Sequence, residues 1–98
     1  EILFLSKILP NRKVSSLKIK ELKKILIFTK KVLKKAIFFG GSSIKDFSNA
    51  SGKKGKFQQV FNVYGKIGHN CSNPDCTGEI KKIVISNRAS FLCTKCQK

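Results

Sequence analysis

Cys71-Ser72-Asn73-Pro74-Asp75-Cys76, then sixteen residues, then Cys93-Thr94-Lys95-Cys96: this stretch decides how the end of the chain folds. Two close pairs with a hairpin-length spacer can bring four sulfurs to the corners of a tetrahedron. Thiolates so arranged suit Zn²⁺, which has no geometric preference of its own. The spacer holds strand-like Ile80, Ile83, Val84 and Ile85, a turn near Asn87 and Arg88, and a return strand beginning at Ser90-Phe91-Leu92. The same four cysteines could instead form two disulfides. No secretory signal marks the chain, because the apolar opening Glu1-Ile2-Leu3-Phe4-Leu5-Ser6 lacks a basic leader and a small-residue cleavage site. Thiols in a reducing compartment stay free, so one structural zinc is the favoured reading. Four thiolates close the coordination shell, and the ion then folds the module without performing chemistry. His69 is a disfavoured substitute ligand.

Upstream of the cysteines, Gly65 to Asn70 forms a lead-in and Phe57 to Tyr64 is apolar and aromatic enough to pack. Ser48 to Lys56 reads as a loop, with Gly52, Gly55, Asn49, Ser51 and three lysines. Before it, Ser42-Ser43-Ile44-Lys45-Asp46-Phe47 is a short ordered piece, and Gly40-Gly41 stops a helix. That helix begins near Lys18. Leu22, Ile25, Leu26, Thr29, Val32, Leu33, Ala36 and Ile37 make its apolar stripe, and Lys20, Lys23, Lys24, Lys30, Lys31, Lys34 and Lys35 lie beside or opposite. Glu21 suits the positive end of its dipole. Residues Glu1 to Leu9 form a first short helix, with Ile2, Leu5, Ile8 and Leu9 on one face, ended by Pro10-Asn11-Arg12. Asn11 to Leu17 is a connector.

Composition narrows the partners. Within 98 residues, 21 Lys+Arg oppose 5 Asp+Glu for a net charge of +16. A field this positive attracts polyanions, so nucleic acid leads, an anionic membrane surface follows, and a merely solvated basic surface is the bland alternative. No run approaches the ~18 apolar residues of a membrane span. At this size a single core stabilises little, and a metal or disulfide staple is expected. The absence of methionine and a start inside an apolar pattern suggest a fragment. Enzyme chemistry finds little support: there is one His, and Glu1, Glu21, Asp46, Asp75 and Glu79 show no spacing that demands a paired acid and base. Arg88, near the hairpin turn, can reach a minor groove or clamp a phosphate, or can simply be a solvated arginine.

Several motifs, in order, resemble the formamidopyrimidine-DNA glycosylase family. They are Glu1-Ile2-Leu3-Phe4; Pro10-Asn11-Arg12 with Ser15-Ser16-Leu17; Gly40-Gly41-Ser42-Ser43-Ile44-Lys45-Asp46-Phe47; Val63-Tyr64-Gly65-Lys66 with Gly68; and Asn87-Arg88-Ala89-Ser90-Phe91-Leu92-Cys93-Thr94-Lys95-Cys96-Gln97. The resemblance covers essentially the whole chain. It implies a mainly α fold with a small β zinc hairpin: a helix–two-turn–helix segment over residues 1–66, then a four-cysteine zinc finger over 67–98 with Cys71, Cys76, Cys93 and Cys96 as ligands.

The function so implied is excision of oxidised purines such as 8-oxoguanine from damaged double-stranded DNA, with nicking of the abasic site through a Schiff base, in the bacterial cytoplasm and by a monomer. Arg88 matches the arginine that enters the minor groove. Lys13, Ser15, Ser16 and Lys66 are the other expected DNA contacts. Ser51, Gly52, Lys53 and Gly55 fall in the loop that caps an everted base. The family's proline nucleophile and its following glutamate lie outside these residues, so the chain alone is expected to bind DNA and not to cleave it.

Two departures stand out. The first cysteine pair has a four-residue gap where the family usually has two, and Lys18 stands where family members often carry a Ser cap, a loss of ~1 kcal/mol. Endonuclease VIII-type glycosylases share the architecture; the Gly40–Phe47 segment points to the oxidised-purine branch. A different reading of the same residues is a free-standing basic zinc-ribbon protein for structured RNA or the ribosome.

Overall fold

A computed structural model describes residues 1–42 and 55–98. Helix α1 spans Ile2–Leu5, and α2 spans Ile19–Phe38. Two single-turn 3-10 helices lie at Val14–Ser16 and Phe57–Val60. Strands β1, Ile80–Ile85, and β2, Arg88–Cys93, form an antiparallel hairpin. Ser43 to Asp46, Phe47, Ser51, Gly52 and Lys53, including most of the expected capping loop, lie outside the described residues.

Helix α1 is shorter than the sequence pattern suggests. It ends at Leu5 because Lys7 takes a left-handed φ of 61°, three residues before Pro10. The Ser6 hydroxyl donates to the Ile2 carbonyl at 2.8 Å, which closes the last turn. The hairpin turn also sits one residue earlier than expected. Ser86 and Asn87 both have positive φ (50° and 65°), the geometry that matches the right-handed twist of paired strands. Strand β2 therefore starts at Arg88, paired with Ile85.

Helix α2 starts after Lys18, as its sequence implies. The Glu21 carboxylate accepts the Lys18 backbone N–H at 3.0 Å. This is half of a capping box: an ammonium has no acceptor with which to complete it. The helix ends at Gly40 and Gly41, whose φ values of 77° and 82° let Gly41 N–H bond the Ala36 carbonyl at 2.7 Å. Gly55 comes back onto this end, and a Cβ there would collide with the Gly41 carbonyl. Lys56 and Phe57 N–H groups then bond the Phe39 and Gly41 carbonyls, fixing the foot of the segment that follows α2.

The apolar stripe of α2 is not buried as a whole. Val32 is buried, and Ile25, Thr29 and Ala36 are half-buried. Leu22, Leu26, Leu33 and Ile37 are exposed, Ile37 by 78%, together with Ile19 at 71%. At 100° per residue these five share one flank, so α2 has three faces: one packed, one basic, one apolar and open. Helix α1 and the segments around it are too short to cover more than one of them.

The core lies elsewhere. Phe4 of α1, Val63, Cys71, Ile80 and Cys93 pack together, with Leu5, Phe91, Cys76 and Cys96 at the edge. Polar ties hold the same parts. Glu1 captures the chain before the cysteines: its carboxylate accepts N–H groups of Asn62 (2.8 Å), Val63 (2.9 Å) and Tyr64 (3.2 Å). Burial raises the Glu1 pKa, but these three donors outweigh it and hold the carboxyl below its ordinary value. Buried Gln97 accepts the Cys93 N–H at 2.8 Å and donates to the Ile8 carbonyl at 2.7 Å, pinning the second knuckle to the segment after α1.

Candidate metal centre and nucleic-acid interface

The cysteine knuckles meet at the open end of the hairpin. The sulfurs of Cys71, Cys76, Cys93 and Cys96 all lie within 4.8 Å of one another. Cys71–Cys96 and Cys76–Cys93 Sγ pairs are each 3.6 Å apart, and the four cysteines are free thiols. A disulfide has sulfurs near 2.0 Å, whereas a tetrahedral tetrathiolate with metal–sulfur bonds of about 2.3 Å sets them about 3.8 Å apart. The geometry is that of a closed four-sulfur metal site. His69 is exposed and outside the cluster.

The protein prepares these sulfurs for negative charge unevenly. Burial pushes the Cys71 thiol up to about 12. Burial acts the same way on Cys93, but backbone N–H groups of Cys96 and Lys95 overcome it and bring that thiol down to about 7. Gly78 N–H donates to Cys76 Sγ at 3.3 Å. Gly78 is also where the backbone passes closest to the sulfurs: an added Cβ would stand 2.6 Å from Cys93 Sγ and 3.2 Å from Cys76 Sγ. Lys95 Nζ donates to Thr77 Oγ1 at 2.9 Å and straps one knuckle to the other.

The residues expected to meet a polyanion occupy two separate places. Arg88 is exposed at the start of β2, directly after the two-residue turn. Lys66 sits in the turn after Tyr64, and the Tyr64 ring packs edge-on to Phe91 of β2 at 5.2 Å. Phe57, Phe61 and Tyr64 continue this aromatic ladder back to the 3-10 helix. Lys13, Ser15 and Ser16 are exposed in the connector before α2.

Of these connector residues, Ser16 is committed inside the protein. Its hydroxyl donates to the Lys13 carbonyl at 2.6 Å and accepts from Arg12 Nε at 3.2 Å. Arg12 itself, read from sequence as turn chemistry, is the organiser of the connector. Its guanidinium forks onto both Glu21 carboxylate oxygens at 2.8 and 3.0 Å and reaches the Ser16 and Lys98 carbonyls. That bidentate bond, with the Lys18 N–H, holds the Glu21 carboxyl down to about 2. A single charged pair nine residues apart gives no periodic signal, so sequence reasoning passed over it.

No protein-family profile matches the chain. The formamidopyrimidine-DNA glycosylase of Roseobacter denitrificans is 44% identical over 98 residues, all of this chain and 35% of the relative. That of Vibrio vulnificus is 43% identical over 97 residues, 99% of this chain and 35% of the relative. Among solved structures, the complex between the Lactococcus lactis Fpg and an abasic site containing DNA superposes with a TM-score of 0.88 at 39% identity, over 100% of this chain and 35% of that one.

Over its whole length the chain is similar to the formamidopyrimidine-DNA glycosylases.

It spans about a third of the length of the curated glycosylases it matches. The fold of this chain, hairpin included, is thus similar to that of a third of a solved glycosylase. The expected DNA-contacting positions are present as charged or hydroxyl side chains at exposed sites, Lys66 being half-buried.

Proposed function

We propose that this chain is the DNA-binding C-terminal part of a base-excision-repair DNA glycosylase and abasic-site lyase that acts on oxidised purines such as 8-oxoguanine in duplex DNA. The observation that carries the reading is the match along the whole chain, at 39% identity, to a glycosylase solved with abasic-site DNA. The net charge of +16 supports a polyanionic partner. Among the described residues no helix is long and apolar enough to cross a membrane. On this reading the chain acts in the bacterial cytoplasm, and its working form is a monomer.

The division of labour follows. Residues 1–66 supply the helix–two-turn–helix segment, in which α1, the Arg12-braced connector and α2 offer Lys13 and Ser15 to phosphates, and Ser16 once its hydroxyl exchanges the Lys13 carbonyl for a phosphate oxygen. Residues 67–98 supply the zinc finger, with Cys71, Cys76, Cys93 and Cys96 on one structural Zn²⁺ and Arg88 directed to the minor groove. Lys66 contacts the backbone beside it, and Ser51, Gly52, Lys53 and Gly55 belong to the lesion-capping loop. Zinc supplies no reaction chemistry in such a closed site; it holds the hairpin. A four-sulfur donor set of this spacing selects a thiophilic ion over magnesium or calcium.

The test is a titration of the zinc-loaded chain against an abasic-analogue duplex and a structured RNA at two salt concentrations. Tighter binding to the duplex, weakened by salt and lost on chelation, is the expected result. Arg88→Ala should weaken duplex binding about tenfold, the lower end of a lost groove contact, with zinc still bound. Equal or tighter RNA binding, insensitive to Arg88, would assign the chain to the zinc-ribbon proteins instead. Strand nicking of an abasic duplex by the purified chain would show that it holds a nucleophile this reading places elsewhere.

A further inference from the structure

Four thiolates around a divalent ion leave about two negative charges to be offset by the surroundings. In this chain backbone N–H groups supply part of it. The Gly78 N–H, two residues beyond Cys76, donates to Cys76 Sγ at 3.3 Å; the Asn73 N–H serves Cys71, and those of Cys96 and Lys95 serve Cys93. Cys96 has no such donor two residues on. The corresponding N–H, that of Lys98, is spent on the Lys7 carbonyl at 3.0 Å, where it ties the second knuckle to the turn after α1.

The sulfur so deprived is also accessible. Cys76 and Cys96 are half-buried, whereas Cys71 and Cys93 are buried. Both open onto a groove of about 220 Å³ lined by Lys7, Asn73, Pro74, Asp75, Cys76 and Cys96. Into this groove the Asn73 side chain reaches across from the first knuckle, and its Nδ2 donates to Cys96 Sγ at 3.3 Å.

We propose that Asn73 is a positioning residue of the metal centre, whose side-chain amide gives Cys96 the N–H donor that the backbone gives the other three sulfurs. The longer first knuckle has its explanation here. Asn73 serves two ligands at once, Cys71 through its backbone and Cys96 through its side chain, and the four-residue gap between Cys71 and Cys76 gives the loop room to do so. The loop is itself anchored, because Ser72 Oγ donates to Asn62 Oδ1 at 3.0 Å and Asn62 Nδ2 donates to Glu1. Without the amide, Cys96 is left the most electron-rich and least protected ligand, and is the first to be lost.

The inference rests on the reading of the cluster as a zinc site, and the experiment separates the two. The full chain, Asn73→Ala and Asn73→Asp are loaded with zinc and titrated with a chromogenic chelator. Cobalt(II) absorption reports whether a tetrahedral tetrathiolate still forms, and timed alkylation with mass spectrometry reports which cysteine reacts first. Asn73→Asp keeps the size of the side chain and replaces a donor with an anionic acceptor. We expect zinc affinity to fall about tenfold in Asn73→Ala and further in Asn73→Asp, with Cys96 becoming the fastest-reacting thiol. Unchanged affinity in Asn73→Asp, or a loss not centred on Cys96, overturns the role of Asn73 and leaves the zinc site standing. Failure of the unaltered chain to take up one zinc overturns the site and the role together.

Discussion

At the scale of single residues, Gly78 is the most constrained position near the sulfurs. Any Cβ there must displace Cys93 Sγ or the strand that carries it, since 2.6 Å is inside contact distance. Gly78→Ala should therefore weaken metal binding at least tenfold without changing the charge of the site. Competition with a chelator checks this, and an unaltered affinity would mean that the knuckle relaxes freely. Arg12 and Glu21 give a second residue-scale prediction. The Glu21 pKa is depressed from 4.5 to about 2, so the pair contributes fully above pH 4.5 and is lost as pH falls through about 2. A double-mutant cycle with Arg12→Ala and Glu21→Gln, read by denaturant unfolding, should show coupling at pH 7 that declines below pH 4.5. Coupling that persists undiminished at pH 2 would contradict the assignment.

Elements show where packing, not propensity, decides. In α2 the positions Val32 and Leu26 look alike in sequence, yet one is buried and the other is 59% exposed. Val32→Ala should cost more than about 1 kcal/mol, and Leu26→Ala less than about 0.5 kcal/mol. Thermal or denaturant melts of the two variants separate these outcomes, and equal losses would mean that both flanks of the helix are covered. In the hairpin, Asn87 holds a left-handed φ of 65° in a two-residue turn. Glycine accepts that conformation more readily, so Asn87→Gly should raise stability by up to about 1 kcal/mol and leave Arg88 in place.

For the molecule as a whole, the metal site and the core are one object. Cys71 and Cys93 pack with Phe4, Val63 and Ile80, and Gln97 joins the second knuckle to the segment after α1. Chelation should thus collapse more than the hairpin. The near-ultraviolet circular dichroism of Tyr64 and its phenylalanine neighbours should be lost, while much of the α2 helical signal remains. A near-ultraviolet spectrum that survives chelation would show that the core holds without the ion.

How much of this was legible beforehand follows from the range of the forces involved. The four cysteines, the hairpin between them, the start of α2 at Lys18 and its end at Gly40-Gly41 are written in local spacing, capping and turn chemistry. The basic character of the surface is a matter of composition. The resemblance rests on motifs that occur in order along the chain, and the comparisons bear it out.

Other features depended on which surfaces meet. The left-handed turn at Lys7 that cut α1 short, the capture of Glu1 by three N–H groups some sixty residues away, and the open flank of α2 have no local signal. The role of Asn73 has none either: it arises because Lys98 N–H is taken by Lys7, a contact between opposite ends of the chain. Sequence determined the cysteine set, the hairpin and the bounds of α2 because those depend on neighbours along the chain. Only the tertiary structure decided how the sulfurs are served and which faces are left open, because burial and hydrogen-bond competition depend on neighbours in space.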